Sequence, residues 1–316
     1  MWSFIVRRLL LMIPVLFLVS MVSFGLIFVL PGDPALAMLG PDQLENKKLY
    51  LALRAQLGLD RPLPVQYLDW LVQLLHGNLG TSIRTNFPVT ALLSQSLAPT
   101  VQLALMAMII ALAISLPVGI ISAIRPGSLA DVFGTIGALA GVALPDFWLG
   151  IMLIYVFSLT LRILPPDGYV SPAKNLGQSL ELMIMPSFTL GAVLAAVITR
   201  QIRSAMLETL QQDYVLTARA KGLREQLVVI RHALRNAMIP VLTVIGLQIG
   251  QLMGGVVIAE TIFAIPGMGR LAVDSIFFRD FPVVQGVVLV MAVAVLVANF
   301  ITDLLYAFVD PRIRYG

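Results

Sequence analysis

An all-α membrane protein of about six transmembrane helices is predicted by three observations: an apolar composition, apolar runs of spanning length, and a basic segment confined to one side of them. Hydrophobic residues make up 59% of the 316 and charged residues only 12%, a balance that leaves too little polar surface for a soluble domain. Apolar runs occupy residues 9–30, 101–124, 132–161, 182–200, 239–259 and 283–309. Each is close to or above the roughly 20 helical residues that cross a hydrocarbon core.

The first run follows Arg7 and Arg8 and ends at Leu30, Pro31 and Gly32. It exceeds the apolar stretch of about 7–15 residues of a secretory signal and lacks a small-x-small cleavage site, so it is expected to be a retained span. Residues 31–99 form the largest polar piece. Pro-Gly punctuation and the Asp42-Gln43-Leu44-Glu45 stretch suggest short helices and turns there. Tyr67, Leu68, Trp70, Leu71, Leu74 and Leu75 recur at helical spacing and read as a packing face. The third run is too long for a simple span and carries Pro145. It is expected to be kinked or tilted, the alternative being two half-segments that dip back.

In the fifth run Gly246, Gly250 and Gly254 repeat every four residues, a helix-packing stripe that lets a neighbouring backbone approach. Gln248 and Gln251 lie on an adjacent face, and Asn299 and Asp303 stand four apart in the sixth run. Polar groups in hydrocarbon need partners or water. These four are therefore either interhelical hydrogen-bonding residues or part of a translocation path. Between the two runs, Pro266-Gly267-Met268-Gly269 marks a turn or re-entrant bend, and Arg279-Asp280 suits a water-facing rim.

Basic residues orient the spans. Arg7, Arg8, Arg125, Arg200, Arg203, Arg219, Lys221, Arg224, Arg231, Arg235, Arg312 and Arg314 all fall on one side of a six-span chain. Positive charge beside lipid marks the cytoplasmic face, so both termini are expected there. The opposite loops carry basic residues too, but in longer segments balanced by acids such as Asp33, Asp42, Glu45, Asp60 and Asp69. The net charge of +4 then follows from topology and calls for no nucleic acid.

The basic segment 201–238 reads as an elbow of two short helices. Asp213 can cap the first, Gly222 can end it in a left-handed turn, and Pro240 lies at the start of the next apolar run. On the second helix Arg224, Arg231 and Arg235 share one face, while Leu227, Ile230, Leu234 and Met238 form an apolar stripe on another. Charge alone is equally satisfied by a solvated loop that only sets topology.

Several chemistries are excluded by what the chain lacks. It has no cysteine, hence no disulfide or thiolate metal site, and with only His76 and His232 it has no histidine-rich one. None of Lys47, Lys48, Lys174 and Lys221 follows a glycine, so no phosphate-binding loop of the GxxxxGK[ST] kind occurs, nor HExxH or GxSxG. If ATP drives this protein, another chain binds it.

Particular stretches are more specific. TARAKGL followed by RHALRNAMIP, together with PGDPA, LGLDRPLPVQY, ETIFAIPGMGRL, RDFPVVQ and DPRIRY, resembles permease subunits of ATP-binding-cassette (ABC) importers, in the branch that handles dipeptides, oligopeptides, glutathione and nickel. Asn236 stands fourteen residues after Gly222, with the proline only at Pro240, a spacing that resembles this branch rather than sugar permeases. The resemblance implies a type I ABC importer permease fold. Residues 1–30 would be an N-terminal transmembrane helix, 31–99 an extracytoplasmic segment, and 100–316 a five-helix core carrying a cytoplasmic coupling loop at 201–238.

It also implies half of a translocation path in a bacterial cytoplasmic membrane, for short peptides or alternatively nickel or glutathione. The implied partners are a second homologous permease subunit, two ATPase subunits that hold ATP and Mg, and an extracytoplasmic substrate-binding protein. No cofactor is implied in this chain. Ala218, Arg219, Ala220, Lys221, Gly222 and Leu223 would meet an ATPase subunit, with Gly222 setting the bend and Arg219 and Lys221 available for acidic partners. An ion-coupled carrier and a non-transporting membrane scaffold are the readings of another class. The first lacks a membrane cluster of carboxylates and histidines, and both leave the elbow to be explained otherwise.

Overall fold

The computed structural model describes residues 2–29, 33–39, 47–56 and 58–309. Asp42, Glu45, Arg312 and Arg314 lie outside the described residues, as do the side-chain surroundings of Gln251 and Gly254. The helices in chain order are α1 (Trp2–Val29), α2 (Pro34–Leu39), α3 (Lys47–Gln56), α4 (Leu63–Leu75), α5 (Val89–Ile124), α6 (Leu129–Ala143), α7 (Asp146–Leu153), α8 (Leu176–Leu210), α9 (Asp213–Ala220), α10 (Glu225–Leu227), α11 (Arg235–Ile262), α12 (Met268–Phe277) and α13 (Phe281–Val309). Among the described residues there is no strand, and an isolated bridge joins Thr81 and Pro88.

Five helical stretches, within α1, α5, α8, α10–α11 and α13, are long and apolar enough to cross a membrane, and the bent pair α6 and α7 makes a sixth if counted as one span. That pair corrects the expectation of a single kinked or tilted helix, because the two axes turn by 103° at the break. Leu144 and Pro145 are extended there, with ψ of 127° and 134°. A residue before proline is pushed out of the helical region, so the chain leaves one helix and starts another. α7 then runs into a π-helical turn, Ile154–Thr160.

The chain forms two compact units. The first comprises Met1–Ile5, Thr100–Ile265 and Val297–Gly316, the second Val6–Pro99 and Pro266–Leu296. In the first unit α8 is the central helix. Asn175 caps it by accepting the amide of Gln178 at 3.1 Å. Leu190, Leu194, Ile198, Ile202 and Met206 are all buried at intervals of four, one stripe of a helix. Lipid tails are as apolar as leucine, so burying such a stripe gains little by itself and close packing must supply the attraction. Small residues provide it. A Cβ on Gly191 would stand 2.8 Å from the carbonyl oxygen of Ala107, one on Gly119 2.8 Å from Ile202, and one on Gly141 2.9 Å from Ala196.

In the second unit Phe24 sits edge-on to Tyr67 at 5.5 Å and tilted to Trp70 at 5.8 Å, while the Tyr67 hydroxyl and Ser20 Oγ share a hydrogen bond of 2.7 Å. This is the packing face of α4, although Leu68 and Leu75, predicted to share it, are exposed. Arg279 is exposed, but Asp280, expected with it at a water-facing rim, is buried. Its carboxylate accepts Ser82 Oγ at 2.5 Å and the Ile83 amide at 3.1 Å. Beneath, Val89 and Leu93 pack with Met268, Val283 and Val287.

Candidate functional site

The elbow is built on α9. Gln212, in extended conformation, occupies the N-cap without a side-chain bond, so Asp213 stands in the first turn. Its negative charge still suits the helix N-terminus, but it is not the cap. At the other end Gly222 has φ +76°, the left-handed turn expected from glycine. Its amide donates to the Arg219 carbonyl at 2.9 Å, and that of Leu223 to Ala218 at 3.4 Å. Arg219 then reaches across the turn to Glu225, with Nη2–Oε1 at 2.7 Å and Nε–Oε2 at 3.2 Å. This hydrogen bond raises the Arg219 guanidinium above its ordinary value.

Two features differ from the expected elbow. Ala218 is buried, packed with Val215, Val228 and Leu210, because it falls one helical turn after Val215 on the inward side. Arg219, Ala220, Lys221, Gly222 and Leu223 are exposed, and the Arg219 charge is already matched by Glu225. The second helix also does not stop before the membrane. From α10 it passes through a π-helical turn, Val228–Leu234, directly into α11, with Pro240 inside α11 rather than at its start.

The π turn shifts the apolar register. Residues bonded i to i+5 take a wider turn than the 3.6-residue helix, and the buried positions are Val229, Ala233, Ala237 and Val241. Leu227 and Ile230, predicted to face protein, are 43% and 65% exposed, whereas Leu234 and Met238 do pack against the core. With Tyr214 and Leu216, also exposed, they give the elbow an apolar outer surface between Arg224, Arg231 and Arg235, all exposed as well.

Within the core, the glycines of α11 do not act alike. A Cβ on Gly246 would collide with Thr302 of α13, whereas one on Gly250 meets no atom within 4 Å. Gly255, not singled out by the four-residue repeat, lies against Leu190. Of the two stripe glycines whose surroundings are described, Gly246 lies against α13 and Gly250 does not.

The intramembrane polar residues also separate. Gln248 is 5% exposed and lines a cavity of about 90 Å³ with Asp146, Leu190, Val193, Leu194, Leu252 and Gly255. Asn299 is exposed and Asp303 half-buried, and neither belongs to that cavity. Asp146 is the polar neighbour on this cavity that spacing along α11 could not reveal, because it opens a different helix, α7. Among the described residues no group of three or more His, Asp or Glu could hold a metal ion.

Apolar helices tightened by glycine, an exposed basic elbow between α8 and α11, and a mainly apolar cavity carrying Asp146 and Gln248 inside the helical core are the features of a membrane permease. Residues 115–315 match the family described as binding-protein-dependent transport system inner membrane component, and residues 1–104 its N-terminal region. The chain belongs to this family and is a multi-pass inner-membrane permease subunit.

Among its relatives, the dipeptide transport system permease protein DppB of Escherichia coli is 41% identical, covering 100% of this chain and 99% of that one. The oligopeptide transport system permease protein AppB of Bacillus subtilis is 43% identical over 99% of each. A solved inward-facing form of the MetNI methionine ABC transporter shares the fold with a TM-score of 0.56 at 18% identity, covering 69% of this chain and 96% of that chain.

Proposed function

We propose that this permease forms half of the translocation path of an ABC importer for short peptides. Both termini and the elbow lie in the cytoplasm, two ATPase subunits bind ATP and Mg, a second homologous permease subunit completes the path, and an extracytoplasmic binding protein delivers the substrate. The elbow supports this most directly. Its turn at Gly222 is closed by the Arg219–Glu225 pair, anchored inward by Ala218, and surrounded by exposed Tyr214, Leu216, Leu223, Leu227 and Ile230. A loop that only set topology would need its charges and not this apolar outer surface.

Mechanically, the anchoring makes the elbow a lever. Because the π turn joins it to α11 without a break, closure of the ATPases would displace the elbow and α11 together and switch the path between inward and outward openings. Peptides as the substrate rest on full-length similarity to permeases named for dipeptides and oligopeptides.

The test is uptake of a labelled dipeptide into vesicles holding this chain with its co-encoded permease, ATPases and binding protein. Uptake should require internal ATP and the binding protein and survive collapse of ion gradients. Uptake that stops with the ion gradient while ATP is present would make the protein a secondary carrier.

A further inference from the structure

We propose that the cavity between α7, α8 and α11 is a station for the cationic amine of the passing substrate, with the Asp146 carboxylate as its counter-ion and the Gln248 side-chain carbonyl as a second acceptor. The inference rests on the peptide reading above and names the substrate group held there. Asp146 opens α7 immediately after Pro145, and its Oδ1 accepts the amide of Phe147 at 2.9 Å. No ion pair joins it to a described basic residue. Gln248 is 95% buried by the measure of its 5% exposure, lines the same cavity, and makes no hydrogen bond with another described residue. Leu190, Val193, Leu194 and Leu252 supply an apolar wall.

The buried Gln248 amide is costly unless a ligand or water completes it, and the half-buried Asp146 carboxylate opens onto the same cavity. An ammonium group fits, because its three N–H donors match carboxylate oxygens and an amide oxygen together. A peptide α-amino group, with a pKa of about 7.7–8.0, carries that charge at neutral pH. Gly255 keeps the space open, since a Cβ there would stand 3.2 Å from Leu190 and 3.9 Å from Asp146 Oδ2. A volume of about 90 Å³ accommodates an amine and the carbon bearing it but not a whole peptide. The station would thus recognise the end that all such peptides share and leave their side chains unread.

The chain has no cysteine, so Gln248→Cys in a transporter assembled with cysteine-free partner subunits reports on the cavity alone. 2-Aminoethyl methanethiosulfonate, a primary ammonium, should modify it at least about tenfold faster than the anionic 2-sulfonatoethyl reagent, a ratio that one full unit of field-driven preference would give. Adding Asp146→Asn should bring the ratio close to that of free cysteine. Millimolar alanyl-alanine should slow the modification, while N-acetyl-alanyl-alanine and potassium chloride should not. Val193→Cys provides the same readout if Gln248→Cys does not assemble.

A ratio unchanged by Asp146→Asn, or equal protection by the acetylated peptide, would overturn the station. Protection by potassium alone would overturn it too, leaving an inorganic cation site. Wild-type vesicles measured alongside keep the two levels apart. Dipeptide uptake without protection refutes the station and spares the peptide reading, whereas no dipeptide uptake removes both.

Discussion

Arg203 of α8 grips Asp131 of α6 with both arms of its guanidinium, Nε to Oδ1 at 2.6 Å and Nη2 to Oδ2 at 2.9 Å. Asp131 Oδ2 also accepts the Gly127 amide at 2.9 Å, and Ser128 Oγ accepts the Asp131 amide at 3.3 Å. The side chain of Asp131 is 6% exposed and that of Arg203 34%. A planar fork matches a carboxylate in a way that the point charge of lysine does not. Asp131→Asn should lower the thermal midpoint of the purified complex and its yield several-fold, and Arg203→Lys should do so by less. Reversing the pair as Asp131→Arg with Arg203→Asp should recover only part, because the carboxylate that accepts the Gly127 amide is then gone. Wild-type melting of Asp131→Asn would show that the pair does not hold α6 to α8.

Gly222 is the position at which the elbow can be disabled with least collateral change. A Cβ there meets nothing within 4 Å, so the cost of substitution is the backbone φ of +76° and not a clash. Strain of about 1–3 kcal/mol is expected for a branched side chain in that region. Gly222→Val should express and insert normally but lose most substrate-stimulated ATPase activity and uptake in vesicles. Gly222→Asn, which tolerates the left-handed region, should retain more. Full stimulation in the valine variant would reduce the loop to a topological signal.

The glycines of α11 separate contacts within the chain from contacts outside it. Gly246→Leu should prevent α11 and α13 from meeting, since even one added carbon collides with Thr302, and overpacking of this kind costs about 1–3 kcal/mol. Thr302→Ala should partly rescue Gly246→Ala. Gly250→Leu should leave the isolated chain unaffected, because nothing stands within 4 Å of it. If Gly250→Leu nevertheless blocks assembly with the second permease, that face meets the partner. Folding of the subunit and assembly of the pair can be scored separately by detergent size-exclusion.

Topology is testable on the same cysteine-free background. In the loop before α5 Ser82 is buried and bonded to Asp280, whereas Thr85 is exposed. Thr85→Cys should react with an impermeant thiol reagent in intact cells and Gln211→Cys, also exposed, only after permeabilisation. The reverse pattern would invert the chain and place the elbow outside.

Composition and run length were enough to read a helical membrane protein here, because hydrocarbon forces the backbone to satisfy its hydrogen bonds within each segment. The left-handed turn at Gly222 was equally legible, since a short helix followed by glycine has few other endings. Registers that assumed an unbroken 3.6-residue helix were not. Leu227 and Ile230 turned outward where the π turn Val228–Leu234 interrupts the 3.6-residue register that would have aligned them with Leu234 and Met238, and the run through Pro145 became two helices at 103°. The glycine repeat in α11 located a helix with close neighbours but not which glycine met which neighbour. The approach of Gly246 to Thr302, of Gly191 to Ala107 and of Asp146 to the cavity of Gln248 joins residues 56 to 102 positions apart. Periodicity describes one helix at a time, so such pairings are decided only when the helices pack.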